Sequence, residues 1–288
     1  MNKRLPPWFK QELPDDKTLR VSNLLSEFCV DTVCRQAKCP NITYCFKNKK
    51  VTFMILGNSC TRNCSFCNVN KAGNTNLTID NDEPKRISEV AKILGLDYVV
   101  ITSVTRDDLN DGGACVFAQT IELIRNVNKH TKIEVLIPDF EGRISSLKTL
   151  LDAKPDVVAH NIETVKRLSK ELRPSSDYQL SLDILSRVKE LDPYMFTKSS
   201  LLLGLGETEE EVVEAMHDLR ENLCDSLTLG QYLAPSVEHY PVKEFVNIEQ
   251  FQKYRSIGLA LGFKSVLSGP LVRTSYRAEE VYRGLCYV

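Results

Sequence analysis

Thr52-Phe53-Met54-Ile55-Leu56-Gly57-Asn58-Ser59-Cys60-Thr61-Arg62-Asn63-Cys64-Ser65-Phe66-Cys67 sets a short apolar run against a glycine, a polar turn and three close cysteines. A run of this length bounded by turn residues reads as a buried strand. Similar runs recur at 98–102, 133–137, 157–159, 197–203, 226–229 and 263–267. Between most of them lie helical patterns with start signals. Pro84 precedes Ile87, Val90, Ala91 and Leu94 at helical spacing. Ser176 or Asp177 can cap a helix whose apolar face holds Leu180, Ile184, Leu185 and Val188. Thr208 with Glu211 forms a capping box that opens a helix through Leu219.

Strand and helix alternating in this way predict βαβ units on a parallel sheet. About six units fit between Val51 and Leu267, enough for a partial (β/α) barrel of TIM type, with an open doubly wound sheet as the competitor. Polar and glycine-bearing residues at the ends of the apolar runs favour the barrel: Thr102-Ser103, Pro138-Asp139, His160-Asn161-Ile162-Glu163, Gly204-Leu205-Gly206-Glu207 and Gln231-Tyr232. In such barrels the C-terminal ends of the strands build the active-site face. Any strand must also exit into a turn, but charged and amide groups at nearly every exit fit that plainer explanation less well.

A chain of 288 residues is normal for one α/β barrel and long enough to bury a core without disulfides. Its net charge of −1 gives no broad pull toward nucleic acid or membrane. The N-terminus has no apolar stretch behind its basic residues, and no run approaches the roughly 20 residues of a membrane span. A soluble, cytoplasmic protein is expected. In that reducing setting grouped cysteines point to metal ligation or redox chemistry rather than disulfides.

Six of the ten cysteines fall into two groups. Cys60, Cys64 and Cys67 form a C-x3-C-x2-C run after the first strand. Three thiolates so close can ligate three irons of one cubane and leave the fourth iron open. The alternative is a zinc site, which usually takes four protein ligands as paired C-x2-C units, and only Cys64 with Cys67 fits that pattern. Cys34, Cys39 and Cys45, spaced C-x4-C-x5-C, are consistent by themselves with a cluster or with a zinc knuckle completed elsewhere. Of the remaining cysteines, Cys115 and Cys224 have apolar neighbours that suggest burial, while Cys29 and Cys286 could be exposed or packed.

The C-x3-C-x2-C run, with Phe66 before its last cysteine, resembles the radical S-adenosylmethionine (SAM) superfamily. Combined with the Cys34-x4-Cys39-Pro40-Asn41 pattern, it resembles the lipoyl synthase family. Further matches are Pro6-Pro7-Trp8, Arg106-Asp107-Asp108-Leu109, Glu134 to Phe140, His160 to Thr164, Gly204 to Thr208, Gly230 to Leu233 and Ser268 to Arg273. The family usually ends in R-S-S-Y, whose second serine ligates an auxiliary cluster. Here the residues are Arg273-Thr274-Ser275-Tyr276, which keep that ligand position as Ser275.

The resemblance implies two [4Fe–4S] clusters, one on Cys60, Cys64 and Cys67 and one on Cys34, Cys39, Cys45 and Ser275. It implies S-adenosyl-L-methionine on the open iron, with contacts from Thr102, Ser103, Gly112, Gly113, Asn161, Glu163, Arg173, Gly204 and Glu207. Read as residues alone, Gly112-Gly113 could equally be a loop before a helix starting near Ala114. Asn161 and Glu163 could be helix caps, and Arg173 a surface arginine. No side chain is implied as acid or base. The implied activity is sulfur insertion at carbons six and eight of a protein-bound octanoyl-lysine. Its carrier would be a lipoyl domain of a 2-oxoacid dehydrogenase or a glycine-cleavage H protein, and its electron donor a flavodoxin or ferredoxin. The rivals are another two-cluster sulfur inserter (biotin-synthase-like, or a methylthiotransferase) and a non-enzymatic metal-binding protein. Residues 1–50 are expected to form a cluster-binding extension, 51–270 the barrel, and 271–288 a closing segment.

Overall fold

The computed structural model describes residues 5–73 and 77–285. Among the described residues are nine strands: β1 (Thr52–Ile55), β2 (Ser59–Cys60), β3 (Asn70–Lys71), β4 (Tyr98–Ser103), β5 (Lys132–Leu136), β6 (Val157–Ala159), β7 (Phe196–Leu203), β8 (Ser226–Gln231) and β9 (Ser265–Gly269). Seven of them form one parallel sheet in the order β1-β4-β5-β6-β7-β8-β9, and β2 pairs only with β3. Neighbours in the sheet are neighbours in sequence, so the strand order never reverses as a doubly wound sheet requires. This is the partial barrel. Among the described residues no ladder joins β9 to β1.

Alternation along the strands sorts side chains between two environments. Phe53, Ile55, Val99, Ile101, Ile133, Val135, Leu201 and Leu203 are fully or nearly fully buried in the two apolar clusters of the core. Thr52, Leu136, Ser200 and Leu202, each offset by one residue, line an internal cavity, and Val100 lines a smaller pocket beside it. Glu134 and Lys198 share the parity of that second set and form a buried ion pair at 2.8 Å. Tyr98 donates to Glu134 at 2.7 Å. Apolar runs therefore carry a polar inner row that the sequence reading did not separate.

The outer layer follows its start and stop signals. Helix α4 (Glu83–Leu94) has Pro84 as its second residue and stops at Gly95, whose φ of +64° is the left-handed ending glycine permits. Between α5 (Ala114–Val127), α6 (Ile144–Asp152), α7 (Lys166–Leu172) and α10 (Ile248–Ala260) lie two helices whose caps were legible. Asp177 caps α8 (Tyr178–Leu191) by accepting from the Leu180 amide at 2.7 Å. Thr208 and Glu211 close a capping box on α9 (Glu209–Glu221).

The described segments before β1 and after β9 both fold onto the barrel. Ahead of β1 come α1 (Asp16–Glu27), α2 (Val33–Gln36) and α3 (Ile42–Lys47). Thr32 bridges to Phe53, and the Met54 amide donates to Asp31 at 3.0 Å, so this segment covers the β1 edge. After β9, residues 271–277 turn toward the cavity. Helix α11 (Ala278–Leu285) then sets Tyr282 against Tyr98 and Phe196, the first residues of β4 and β7. Lys50 and Glu279 pair across the two ends.

Two expectations about lone cysteines separate here. Cys224 is buried, whereas Cys115 is exposed. Cys115 is the second residue of α5, where Phe117 takes the inward face, and its backbone amide donates to Asp111 at 2.9 Å. Cys29 is exposed, and Cys286 lies outside the described residues.

Candidate functional site

The cysteine loop after β1 is held at every step. Cys60 lies in β2, the Thr61 amide donates to Thr105 at 3.0 Å, and the Ser65 amide to Leu172 at 2.9 Å. Arg62, in the middle of the run, is buried and reaches two strand exits. It donates to both oxygens of Asp107 at 2.9 Å and to both of Asp139 at 2.5 and 2.6 Å. Forked bonds of this kind fix direction as well as distance. Sequence reasoning missed Arg62, although its place between two of the grouped cysteines was a usable signal.

Burial pushes the Cys67 thiol up to about 12, with Cys64 and Cys60 beside it adding to the shift. Burial also raises Cys64, against the pull of the nearby Arg173 guanidinium. In the first group burial lifts Cys34 to about 11 and Cys45 to about 12, and neighbouring thiols add to both. Thiols so desolvated and crowded become thiolates readily only when a cation takes up their charge.

Cys34 lies on α2, Cys45 on α3 and Cys39 on the turn between them. Asn41 ties that turn to the C-terminal segment by donating to the Leu271 carbonyl at 2.6 Å. The Thr52 hydroxyl donates to the Ser275 hydroxyl at 2.8 Å. A small pocket of about 40 Å³ has Cys34, Cys39, Cys45 and Ser275 in its wall, with Arg273. These donors fit a cluster with three thiolates and one oxygen. The Arg273 guanidinium, on the same wall, supplies positive charge against such a group.

That pocket adjoins a larger cavity of about 380 Å³. Its wall contains Cys34, Cys39 and Ser275 together with Cys67 from the other group, so residues far apart in sequence face one space. Phe66, Leu136, Leu202, Tyr232 and Leu233 make much of the remainder apolar. Cys60 and Cys64 lie on the same loop outside that lining. Among the described residues no three Cys, His, Asp or Glu side chains converge on a single metal ion. Cluster thiolates each take their own iron and need no such convergence.

The other candidate residues divide. Asn161 and Glu163 line the cavity, and Asn161 Nδ2 donates to Glu163 at 2.9 Å and to Thr274 at 2.8 Å. Glu163 holds a φ of +65° and is clipped to β7, accepting from the Leu202 amide at 2.8 Å. A bulky residue in that conformation persists only where its surroundings enforce it. Burial raises its carboxyl above the usual range, while Arg173, Asn161 and Arg273 oppose the shift. Arg173 is buried rather than on the surface, and it donates to the Ile162 carbonyl at 2.8 Å.

Thr102 donates to the Leu136 carbonyl at 3.0 Å, and the buried Ser103 hydroxyl has no partner in the structure. Asn161 Oδ1 and His160 Nε2 are likewise unpaired, leaving polar atoms at the β4 and β6 exits for a bound group to meet. Gly112 and Gly113 precede α5 with φ of +61° and +88°, and a Cβ would strike Phe140 or Leu56 respectively. Gly204 is equally confined, by Gln231 and Glu244. Both Glu207 oxygens accept backbone amides, from Gly204 and Leu205.

The radical SAM superfamily profile matches residues 54–219. The lipoyl synthase of Caldanaerobacter subterraneus subsp. tengcongensis is 51% identical over 279 residues, covering 97% of each chain. That of Alkaliphilus metalliredigens is 49% identical over 279 residues and 96% of each chain. Among solved structures, the FeFe-hydrogenase maturase HydG from Carboxydothermus hydrogenoformans superposes with a TM-score of 0.60 at 14% identity, over 81% of this chain and 56% of that one. Methylornithine synthase gives 0.56 at 14% identity, over 94% and 95%. At such identities the structural likeness speaks to fold alone.

Proposed function

The chain belongs to the lipoyl synthase family of radical SAM enzymes, and from that premise we propose how its own residues divide the work. The family's activity is insertion of two sulfur atoms, at carbons six and eight of a protein-bound octanoyl-lysine. Bound groups would supply the hard chemistry: a [4Fe–4S] cluster on Cys60, Cys64 and Cys67 with SAM gives reductive cleavage to a hydrogen-abstracting radical, and a second on Cys34, Cys39, Cys45 and Ser275 gives sulfur.

One observation carries this division: Cys67 and the Cys34–Cys39–Ser275 set line the same cavity. Insertion needs the carbon that loses hydrogen to lie beside the sulfur that replaces it, which is a matter of positioning. Phe66, Leu136, Leu202 and Leu233 make a wall suited to an eight-carbon chain and hostile to water. Asn161 and Glu163, on that wall, and Ser103, at the β4 exit, are the polar groups assigned to SAM. Arg62 holds the loop between Cys60 and Cys64, and Arg273 offsets charge at the auxiliary site.

The carrier in this reading is a lipoyl domain or a glycine-cleavage H protein, the electron donor a flavodoxin or ferredoxin, and the compartment the cytoplasm. No helix among the described residues is long and apolar enough to cross a membrane. Residues 1–50 serve as the auxiliary-cluster segment, 51–270 as the radical SAM barrel and 271–288 as the closing segment with the serine ligand.

The test is an anaerobic reaction of iron-reconstituted protein with SAM, a reductant and an octanoyl-lysyl peptide, read by mass spectrometry. A gain of two sulfur atoms on the peptide is expected. Deoxyadenosine without a gain in peptide mass would overturn the assignment and leave radical chemistry standing.

A further inference from the structure

The residues lining the large cavity are buried or half-buried with two exceptions, Lys38 and Ala234. These two mark its mouth. Lys38 stands on the turn between α2 and α3 with a φ of +48°, and among the described residues no carboxylate pairs with it. Ala234 belongs to the segment after β8 whose tip is Val237, and Val237 is 96% exposed.

An apolar side chain on a loose tip would carry little meaning, but this tip is pinned. Ser236 Oγ and His239 Nδ1 are 2.8 Å apart, and the Glu238 amide donates to the same hydroxyl at 3.3 Å. The Tyr240 amide donates to Ser65, inside the cysteine loop, at 3.0 Å. The Tyr232 hydroxyl donates to the Tyr240 carbonyl at 2.8 Å. Val237 is therefore held out beside the mouth by bonds that lead back to the site.

The length of the substrate's arm limits what can stand there. From the lysine Cα to carbon six of an octanoyl group is a path of eleven bonds, about 13 Å at the roughly 1.2 Å per bond of an extended chain. A carrier's backbone must come to the lip of the cavity, and its surface must meet whatever projects there. We propose that the acylated carrier domain docks across this mouth, seating an apolar patch beside its modified lysine on Val237 and facing an acidic group toward Lys38. This rests on the reading above that the substrate is octanoyl-lysine on a folded carrier.

The experiment compares kcat/KM for a folded octanoyl-carrier domain and for a short octanoyl-lysyl peptide, in wild type and in Val237→Asp and Val237→Ala. Val237→Asp is expected to lower the value for the carrier on the order of tenfold, as for a contact at the centre of an interface. Val237→Ala should lower it less, and neither should change turnover of the peptide. Added salt should weaken the carrier reaction and spare the peptide. Equal values for the carrier in wild type and Val237→Asp would overturn the docking surface. Absence of sulfur insertion by wild type on both substrates would overturn the functional reading, and the docking with it.

Discussion

At Ser275 the chain offers an oxygen where an iron–sulfur cluster would ordinarily take sulfur, and Thr52 donates to that oxygen at 2.8 Å. A hydrogen bond to an oxygen that becomes anionic on ligation strengthens as the charge develops. Thr52→Val removes the donor at nearly constant volume. Its expected effect is faster loss of auxiliary-site iron to a chelator, about fivefold for the roughly 1 kcal/mol of one hydrogen bond. Unchanged iron loss would mean that Thr52 does not support the ligand.

The thiols give a second prediction at this scale. Burial lifts Cys34 to about 11 and Cys45 and Cys67 to about 12, so near neutrality each holds a proton that iron must displace. Cluster reconstitution should release protons and become more complete as pH rises from 7 to 9. Iron bound per chain at fixed iron and sulfide measures it. The grouping of the cysteines was legible in the sequence because close spacing is a local property. Thr52, Arg62 and Arg273 were not, because nothing local says which polar residue of an apolar strand or loop will face a cavity.

Among the elements, the loop from Cys60 to Cys67 depends most on long-range support. Arg62 ties it to Asp107 and Asp139, and removing the cation would leave Asp139 buried without its partner. Breaking a buried pair in this way costs about 3–5 kcal/mol. Arg62→Ala should lower the thermal midpoint of the apoprotein measurably and slow cluster uptake. Arg62→Lys, which keeps charge but loses the fork, should fall between. The capped helices α8 and α9 could be read from sequence because Asp177, Thr208 and Glu211 act within one turn. The three helices before β1 and the closing helix α11 escaped that reading, since they are short or end-of-chain segments stabilised by docking on the barrel.

In the whole molecule, the parallel barrel was legible because apolar runs alternate with helical ones. Its closure by both chain ends was not, since contacts such as Lys50 with Glu279 and Asn41 with Leu271 join residues more than 200 positions apart. Carboxylates paired across elements also set a limit in acid. Burial alone would raise Asp139 and Asp225, but Arg62 holds the first below its ordinary value and Lys189 with Lys264 the second. Their contribution to stability is complete above the unfolded value near 3.9 and lost as pH falls through the lower folded values. Stability measured by denaturant titration should hold from pH 7 to about 5 on their account and decline below about 4.

Two clusters facing one cavity would lie close enough for their unpaired electrons to interact when both are reduced. Electron paramagnetic resonance of the reduced, fully loaded protein reads this directly, compared with a variant carrying Cys34→Ala, Cys39→Ala and Cys45→Ala and another carrying Cys60→Ala, Cys64→Ala and Cys67→Ala. A broadened or split spectrum in the intact protein, absent from both variants, is the expected result. A spectrum equal to the plain sum of the two variants' spectra would contradict a shared cavity.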